Sequence, residues 1–319
     1  MEVENIVWSV KEDIEKFYEK NKNWVVIIRW ATATGKSKLG ILLNEFFDNE
    51  IISADSRQIF RFMNIWTDKV SDEIIKRIPH HQVNIVNPDE RYTAGQRQED
   101  TYKIIDWVHA RWKIPMIVWW TWLYIDTIYK NFTLPKSEPD REFRKWIEDM
   151  EAKDPWYAHR ELTKIDPEEA DKHHPNSIRY IIRALEIYHQ TWKTKTEWFV
   201  QQDVRYPLLM IWLWREKEDS NMRINSRIKA MLKEWLIDEV KWLLEKWYDK
   251  NLQSMQWIGY KETVEYLEWK YDLEKLEEYM KRATHHMAKK QRTWFRRYIA
   301  EWKAMPRDNI EYKLYNLSE

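Results

Sequence analysis

Apolar positions along the chain fall into two patterns. One is the short unbroken run. Trp24-Val25-Val26-Ile27-Ile28 is the first, Pro115–Val118 and Pro207–Leu213 follow it, and Glu50-Ile51-Ile52-Ser53 is a further short strand candidate. Runs this short, with no polar alternation, read as strands buried on both faces. The other pattern is helical. Met1–Asn23 reads as a polar amphipathic helix, and Gln96–Trp112 lies as a helix between two runs. Buried strands alternating with helices predict an α/β fold, a parallel sheet with helices on both faces.

From about Lys130 to Gln202 no strand pattern occurs. Leu134-Pro135 and Glu138-Pro139 punctuate its start, and helical patterns follow at Asp140–Lys153, Ala158–Ile165 and Ile178–Tyr188. The expected organisation is an α/β core over 1–130 and 203–319 with a helical insertion domain at 131–202. After Leu213 the chain reads as almost all helix. Ile224, Ile228, Met231, Leu232, Leu236, Val240, Leu243 and Leu244 keep helical spacing.

The first run breaks into Trp30-Ala31-Thr32-Ala33-Thr34-Gly35-Lys36-Ser37, and a helix-compatible stretch follows. Strand, small-residue loop, Gly-Lys-Ser and helix form a phosphate cradle. Loop N–H groups face the anion, the lysine reaches the outer phosphates, and the serine hydroxyl can sit on Mg²⁺. The motif G-x-x-x-x-G-K-[ST] has glycine where this chain has Trp30. Asp55 follows the second run, where open α/β sheets bind ligands. It could take a proton, or it could cap a helix. Thr121 follows the third run, where a cap is the commoner role for threonine. Met280–Lys303 carries eight Lys and Arg against Glu301, with Trp294, Phe295 and Tyr298 interleaved. That is either a phosphate-pairing, base-stacking surface or a solvated helix with a buried aromatic stripe. The pairs His80-His81, His173-His174 and His285-His286 do not share a helix face as metal ligands would, and read as structural or RNA-facing.

Lys+Arg and Asp+Glu both number 53, so any nucleic-acid surface is local rather than global. Absence of cysteine excludes disulfides and thiolate metal sites. No apolar run is long enough to span a membrane and no charged-then-apolar leader appears in Met1–Lys22, so a cytoplasmic protein is expected. Monomer is the default expectation. Glycine is abnormal: average usage predicts roughly 22 in a chain of this length, whereas 4 glycines and 22 tryptophans occur.

Many segments, in order, resemble tRNA dimethylallyltransferases (tRNA isopentenyltransferases) over nearly the whole length. They include Ala33–Ser37, Glu50–Ser56, Met63–Lys69, Ile78–His81, Tyr92–Gly95, Thr121 with Leu123-Tyr124, and His174-Pro175-Asn176. Arg179 with Arg183–Glu186, Arg223–Arg227, Ile258–Glu262 and Ala288–Gln291 with Thr293-Trp294 continue the match. The resemblance implies a P-loop NTPase-like core and transfer of a five-carbon group from dimethylallyl diphosphate to N6 of adenosine 37 in tRNAs reading codons that begin with U. It implies that Lys36 and the loop 30–37 hold the diphosphate, that Ser37 touches Mg²⁺, and that Arg223 or Arg227 clamps the far side. Asp55 would accept the N6 proton and Thr121 would orient base or diphosphate. The adenine would flip out of its stack to reach them. Positions implied to face tRNA are Asp55, Ser56, Arg57, Gln58, Thr121, Arg144, Arg179, Arg183, Lys289, Lys290, Gln291, Arg292, Thr293, Trp294 and Arg296.

Trp30, Trp66, Trp112, Trp119, Trp120, Trp122, Trp192, Trp235 and Trp257 stand where the family pattern has, or commonly has, glycine. Arg97 and Ser177 are further departures, at positions expected to be apolar and Asp. The tryptophan set has the signature of glycines read out as, or replaced by, tryptophan. An indole at Trp30 or at 119–122 is expected to intrude on the space of diphosphate or adenine. Two other readings use some of the same features. A P-loop phosphotransferase for small molecules explains the core but not the basic C-terminal stretch. A tRNA-binding relic explains both, with its site filled by indoles.

Overall fold

The structure, a computed structural model, describes residues 2–118, 122–135, 137–304 and 306–318. Thr121, Trp119 and Trp120 lie outside the described residues. Six strands form one sheet: β1 (Val25–Arg29), β2 (Asn49–Ser53), β3 (His80–His81), β4 (Ile114–Val118), β5 (Leu208–Trp214) and β6 (Ile310–Asn316). Their order is β3-β2-β4-β1-β5-β6 and every pairing is parallel. All of β1 and β2 is buried, including the polar Arg29 of β1 and Asn49, Glu50 and Ser53 of β2. From β1 the chain crosses to β2, β3 and β4 on one side and later to β5 and β6 on the other. The end of β1 is therefore the topological switch point, where such sheets bind ligands.

Two strands lie beyond the sequence reading. β3 is only His80–His81, too short to leave a pattern. β6 follows a long helical region, and its polar residues suit an edge, where one side faces solvent. The C-terminal part is thus not all helix.

The helices are α1 (Val7–Lys20), α2 (Lys36–Leu42), α3 (Asp72–Arg77), α4 (Ala94–His109), α5 (Trp122–Tyr129), α6 (Arg141–Lys153) and α7 (Tyr157–Ile165). They continue with α8 (Pro167–Asp171), α9 (Ile178–Thr191), α10 (Lys195–Trp198), α11 (Lys217–Lys233), α12 (Leu236–Glu245), α13 (Tyr260–Leu267) and α14 (Leu273–Ala304). Two compact units result. One is Met1–Thr93, Glu99–Ile125 and Tyr206–Glu319, and the other is Ala94–Gln98 with Asp126–Arg205. The second holds α6 to α10 around Ile147, Leu162, Ile181, Ile182 and Leu185. Asp166 stops α7 and caps α8 through the Glu169 N–H, with Pro167 in the first turn. Ser177 precedes α9 without making a side-chain cap.

Among the described residues, six tryptophans occupy left-handed backbone: Trp112 (φ 61°), Trp156 (68°), Trp192 (55°), Trp235 (72°), Trp247 (66°) and Trp269 (62°). Trp112, Trp247 and Trp269 are 96 %, 93 % and 93 % exposed, and the other three are also exposed. Trp192 ends α9 with its N–H on the Tyr188 carbonyl, the place where helices favour glycine. An L side chain there meets the carbonyl and gains nothing from burial. Trp156, Trp247 and Trp269 were not singled out by the sequence comparison, yet they share this geometry. If these positions carry glycine in the protein as made by its source, intact mass spectrometry gives a value below 39.8 kDa. A mass of 39.8 kDa would establish tryptophan at all of them.

Candidate active site

The loop after β1 is held from three sides. Gly35 has φ 94°, and a Cβ there would meet Val3 Cγ2 at 2.3 Å, so its glycine is required by both conformation and space. Thr34 Oγ1 donates to the Ala31 carbonyl at 3.0 Å. The Thr32 N–H donates to Gln291 Oε1 of α14 at 2.9 Å. That N–H is therefore committed to the protein, and the cradle available to an anion is the later part of the loop with the start of α2.

Trp30 does not intrude on this cradle. Its indole is fully buried, stacked on Phe295 at 5.1 Å and against Trp212 and Trp214 at 5.8 and 4.9 Å. Its place in the loop is structural, and the expected obstruction does not arise there. It arises instead from Trp66 and Trp257. Both line a cavity of about 50 Å³ with Thr32, Asp55, Arg57 and Arg227, walled by Ile224, Ile228 and Met231 of α11 and by Thr284 and Met287 of α14. An apolar cavity of about 150 Å³ accommodates benzene, so these indoles leave a narrow space for a five-carbon group. The Trp66 ring fits only because Gly259 opposes it: a Cβ there would lie 2.1 Å from the indole.

Lys36 is buried, and its Nζ donates to the Ala31 carbonyl at 2.6 Å. Burial, helped by Arg227 and opposed by Asp55 and Asp68, lowers its pKa from 10.5 to about 7. The protonated amine is the anion-binding form. Below pH 7 it is present in the free protein; above pH 7 binding must first take up a proton. Affinity for pyrophosphate is therefore expected to fall as pH rises from 7 to 9, with proton uptake in calorimetry. A flat profile would contradict this.

Asp55 lies just beyond the end of β2 and is 2 % exposed. Its Oδ1 accepts the Arg57 N–H at 2.6 Å. The Arg57 guanidinium lies 3.5 Å from the Trp257 ring centre, and burial lowers its pKa to about 10 despite Asp55. Gln58 points inward: it accepts from Ser53 Oγ at 2.8 Å and donates to the Thr67 and Asp68 carbonyls at 3.1 and 3.2 Å. Arg227 Nη1 lies 3.1 Å from Asp68 Oδ2, at the cavity wall. Arg223 is directed elsewhere, bonded to Asp219 at 3.1 Å and to Glu2.

A support for this loop escaped the sequence reading. Glu239 accepts the N–H groups of Asn64 and Ile65 at 2.8 and 3.0 Å, and receives the Tyr260 hydroxyl at 2.8 Å. Burial raises the Glu239 carboxyl and the fully buried Tyr260 hydroxyl alike. Tyr260 sits in the Ile258–Glu262 match, which was its only signal. The cavity-facing Ile224, Ile228 and Met231 were read as an ordinary core stripe, since periodicity does not distinguish a core from a pocket.

On α14, Lys289, Lys290, Thr293, Trp294 and Arg296 are exposed, whereas Gln291 and Arg292 are buried. In the helical unit, Arg144 grips Glu186 through Nε and Nη2 at 2.6 and 2.7 Å, and Arg183 bonds the same carboxylate. Both are organising ion pairs within that unit. Arg179 is exposed in the first turn of α9 and makes no ion pair among the described residues. His81 bonds Glu50 at 2.7 Å and His173 bonds Glu169 at 2.9 Å.

A parallel sheet with a Gly-Lys-Ser loop at its switch point, an acid beside it and a cavity with one apolar wall make a P-loop NTPase-like core. The family model described as IPP transferase matches residues 58–298. The chain is 40 % identical to a tRNA dimethylallyltransferase of Thermotoga neapolitana, covering 86 % of this chain and 90 % of that one. It is 40 % identical to a tRNA dimethylallyltransferase of Bacillus licheniformis, covering 92 % and 95 %. Among solved structures, a eukaryotic dimethylallyltransferase acting on tRNA aligns with TM-score 0.78 at 31 % identity, covering 93 % of this chain and 74 % of that one. The tRNA isopentenylpyrophosphate transferase of Bacillus halodurans aligns with TM-score 0.63 at 32 % identity, covering 93 % and 92 %. This chain belongs to the tRNA dimethylallyltransferase family. No helix among the described residues is long and apolar enough to cross a membrane.

Proposed function

We propose that the chain transfers the dimethylallyl group of dimethylallyl diphosphate to N6 of adenosine 37 in tRNA. The observation that carries this reading is the meeting of Asp55, Arg227 and the Thr32 end of the phosphate loop around one cavity with an apolar wall. In the reaction the N6–C1 bond forms as C1–O of the diphosphate breaks, and the N6 proton passes to Asp55. Lys36, the N–H groups near Gly35 and Arg227 stabilise the charge that builds on the departing diphosphate. Arg227 rather than Arg223 is the clamp, because it lines the cavity while Arg223 is bonded to Glu2 and Asp219. The apolar wall from α11 receives the five-carbon group. The exposed basic face of α14 and Arg179 contact the tRNA backbone, and the exposed Trp294 offers a stacking surface.

Mg²⁺ fits the donor set. Ser37 and Ser53 line one cavity beside the ends of β2 and β4, and no group of three or more His, Cys, Asp or Glu among the described residues could hold a metal. A hard ion carried chiefly by diphosphate oxygens and water, with the Ser37 hydroxyl as protein ligand, needs no more. When bound it supplies neutralising charge to the leaving group.

Incubation with dimethylallyl diphosphate, Mg²⁺ and unmodified tRNA, followed by nucleoside mass spectrometry, is expected to reveal a prenylated adenosine. None from the folded chain would sink the proposal. Because Trp257 narrows the cavity, Trp257→Gly is expected to raise kcat/KM for dimethylallyl diphosphate by on the order of tenfold, from relief of overpacking. An unchanged value would mean that the indole does not oppose the substrate.

A further inference from the structure

Gln291 is 7 % exposed, and its Oε1 accepts the buried Thr32 N–H at 2.9 Å, across 259 residues of sequence. Its Nε2 is buried and makes no hydrogen bond among the described residues. Among the described residues, the only hydrogen bond of this amide therefore runs to the phosphate loop. Gln291 follows Thr284 and Met287 along one face of α14, and those two line the cavity. One turn further on, Phe295 stacks on Trp30, the residue that opens the loop. Two successive turns of α14 thus hold the two ends of the segment Trp30–Thr32. Lys289, Lys290 and Thr293 point to solvent from the same turns.

We infer that Gln291 is a positioning residue for the diphosphate loop and not an RNA contact, its carbonyl oxygen fixing Thr32 so that the following N–H groups converge on the anion. This rests on the reading of the loop as a diphosphate site. The physical case is that an N–H left without an acceptor in a buried site must find another partner, and only local rearrangement of the loop can supply one. A helix-borne acceptor removes that freedom before substrate arrives, which is preorganisation. The same helix offers its basic face to RNA, so the loop and the RNA surface share one rigid element.

The test separates two affinities in the full chain. Gln291→Met keeps length and apolar volume but replaces the carbonyl oxygen with a thioether, a weak acceptor, and Gln291→Leu has no acceptor. Calorimetry with pyrophosphate and Mg²⁺ is expected to show about tenfold weaker binding for both (about 1.4 kcal/mol). Affinity for unmodified tRNA, measured by filter binding without pyrophosphate, is expected to be unchanged. Lys289→Ala with Lys290→Ala should give the reverse pair of results. In kinetics the Gln291 variants should raise KM for dimethylallyl diphosphate and leave KM for tRNA alone. Weaker tRNA binding with normal pyrophosphate affinity would overturn the inference and make Gln291 an RNA contact. Equal pyrophosphate affinity in variant and unaltered chain would also overturn it. No pyrophosphate binding by the unaltered chain would overturn the loop reading, and this inference with it.

Discussion

Asp55→Asn is expected to lower kcat for prenyl transfer by about 10²- to 10⁴-fold, the range for loss of a positioned general base. The change is nearly isosteric. The amide oxygen can still accept the Arg57 N–H that Asp55 Oδ1 accepts at 2.6 Å, so the turn after β2 should persist. Only the capacity to take the N6 proton disappears. KM for dimethylallyl diphosphate and affinity for tRNA should therefore change little, while kcat collapses. Single-turnover transfer by the variant, followed by nucleoside mass spectrometry, measures the chemical step directly. If transfer proceeds at the rate of the unaltered chain, Asp55 is only a turn-stabilising residue, the role its helix-cap chemistry also permits.

Replacing Trp112, Trp156, Trp192, Trp235, Trp247 and Trp269 together by glycine is expected to stabilise the fold substantially. A non-glycine residue in the left-handed region costs roughly 1–2 kcal/mol. Glycine returns about 0.5–1 kcal/mol of that through its freer unfolded chain. A net gain of up to about 1 kcal/mol per site follows, largest at Trp112, Trp247 and Trp269, whose indoles bury almost nothing. The sites lie at separate helix ends, so their effects should roughly add. Chemical denaturation of the six-site variant beside a six-site alanine variant checks it. Alanine keeps the Cβ and should recover little. Equal stability of the two variants would show that the backbone conformation is not the source of the gain. These tryptophans are a different class from Trp30, Trp66 and Trp257, whose rings are packed and whose removal changes a cavity as well as a dihedral angle.

Much of the sheet was legible because a strand buried on both faces is mostly apolar. β1, β4 and β5 each left such a run, and β2 left only Ile51-Ile52 between buried polar residues. β3 and β6 were not legible, since an edge strand is free to carry polar side chains. Lys36 and Asp55 were legible for a related reason: their chemistry is tied to the end of a strand that the run announces. The intramolecular partners of Gln58, Gln291, Arg144 and Arg183 were not legible, because residue type names a capacity and not a direction. In the fold, Gln58 closes a loop onto itself and the two arginines share Glu186.

The sequence by itself determined the parallel core, the phosphate loop and the family, because each is written in local order: apolar runs, a Gly-Lys-Ser turn, segments in series. Tertiary structure alone decided where the tryptophans lie. The same residue type is core at Trp30, a cavity wall at Trp257 and an exposed, left-handed helix end at Trp247. It also put Arg227 on the cavity wall and Arg223 against Asp219 and Glu2, and turned Gln291 onto the loop. Those outcomes depend on which elements face one another across the fold, and the partners that set them, such as Thr32 and Gln291, are far apart along the chain.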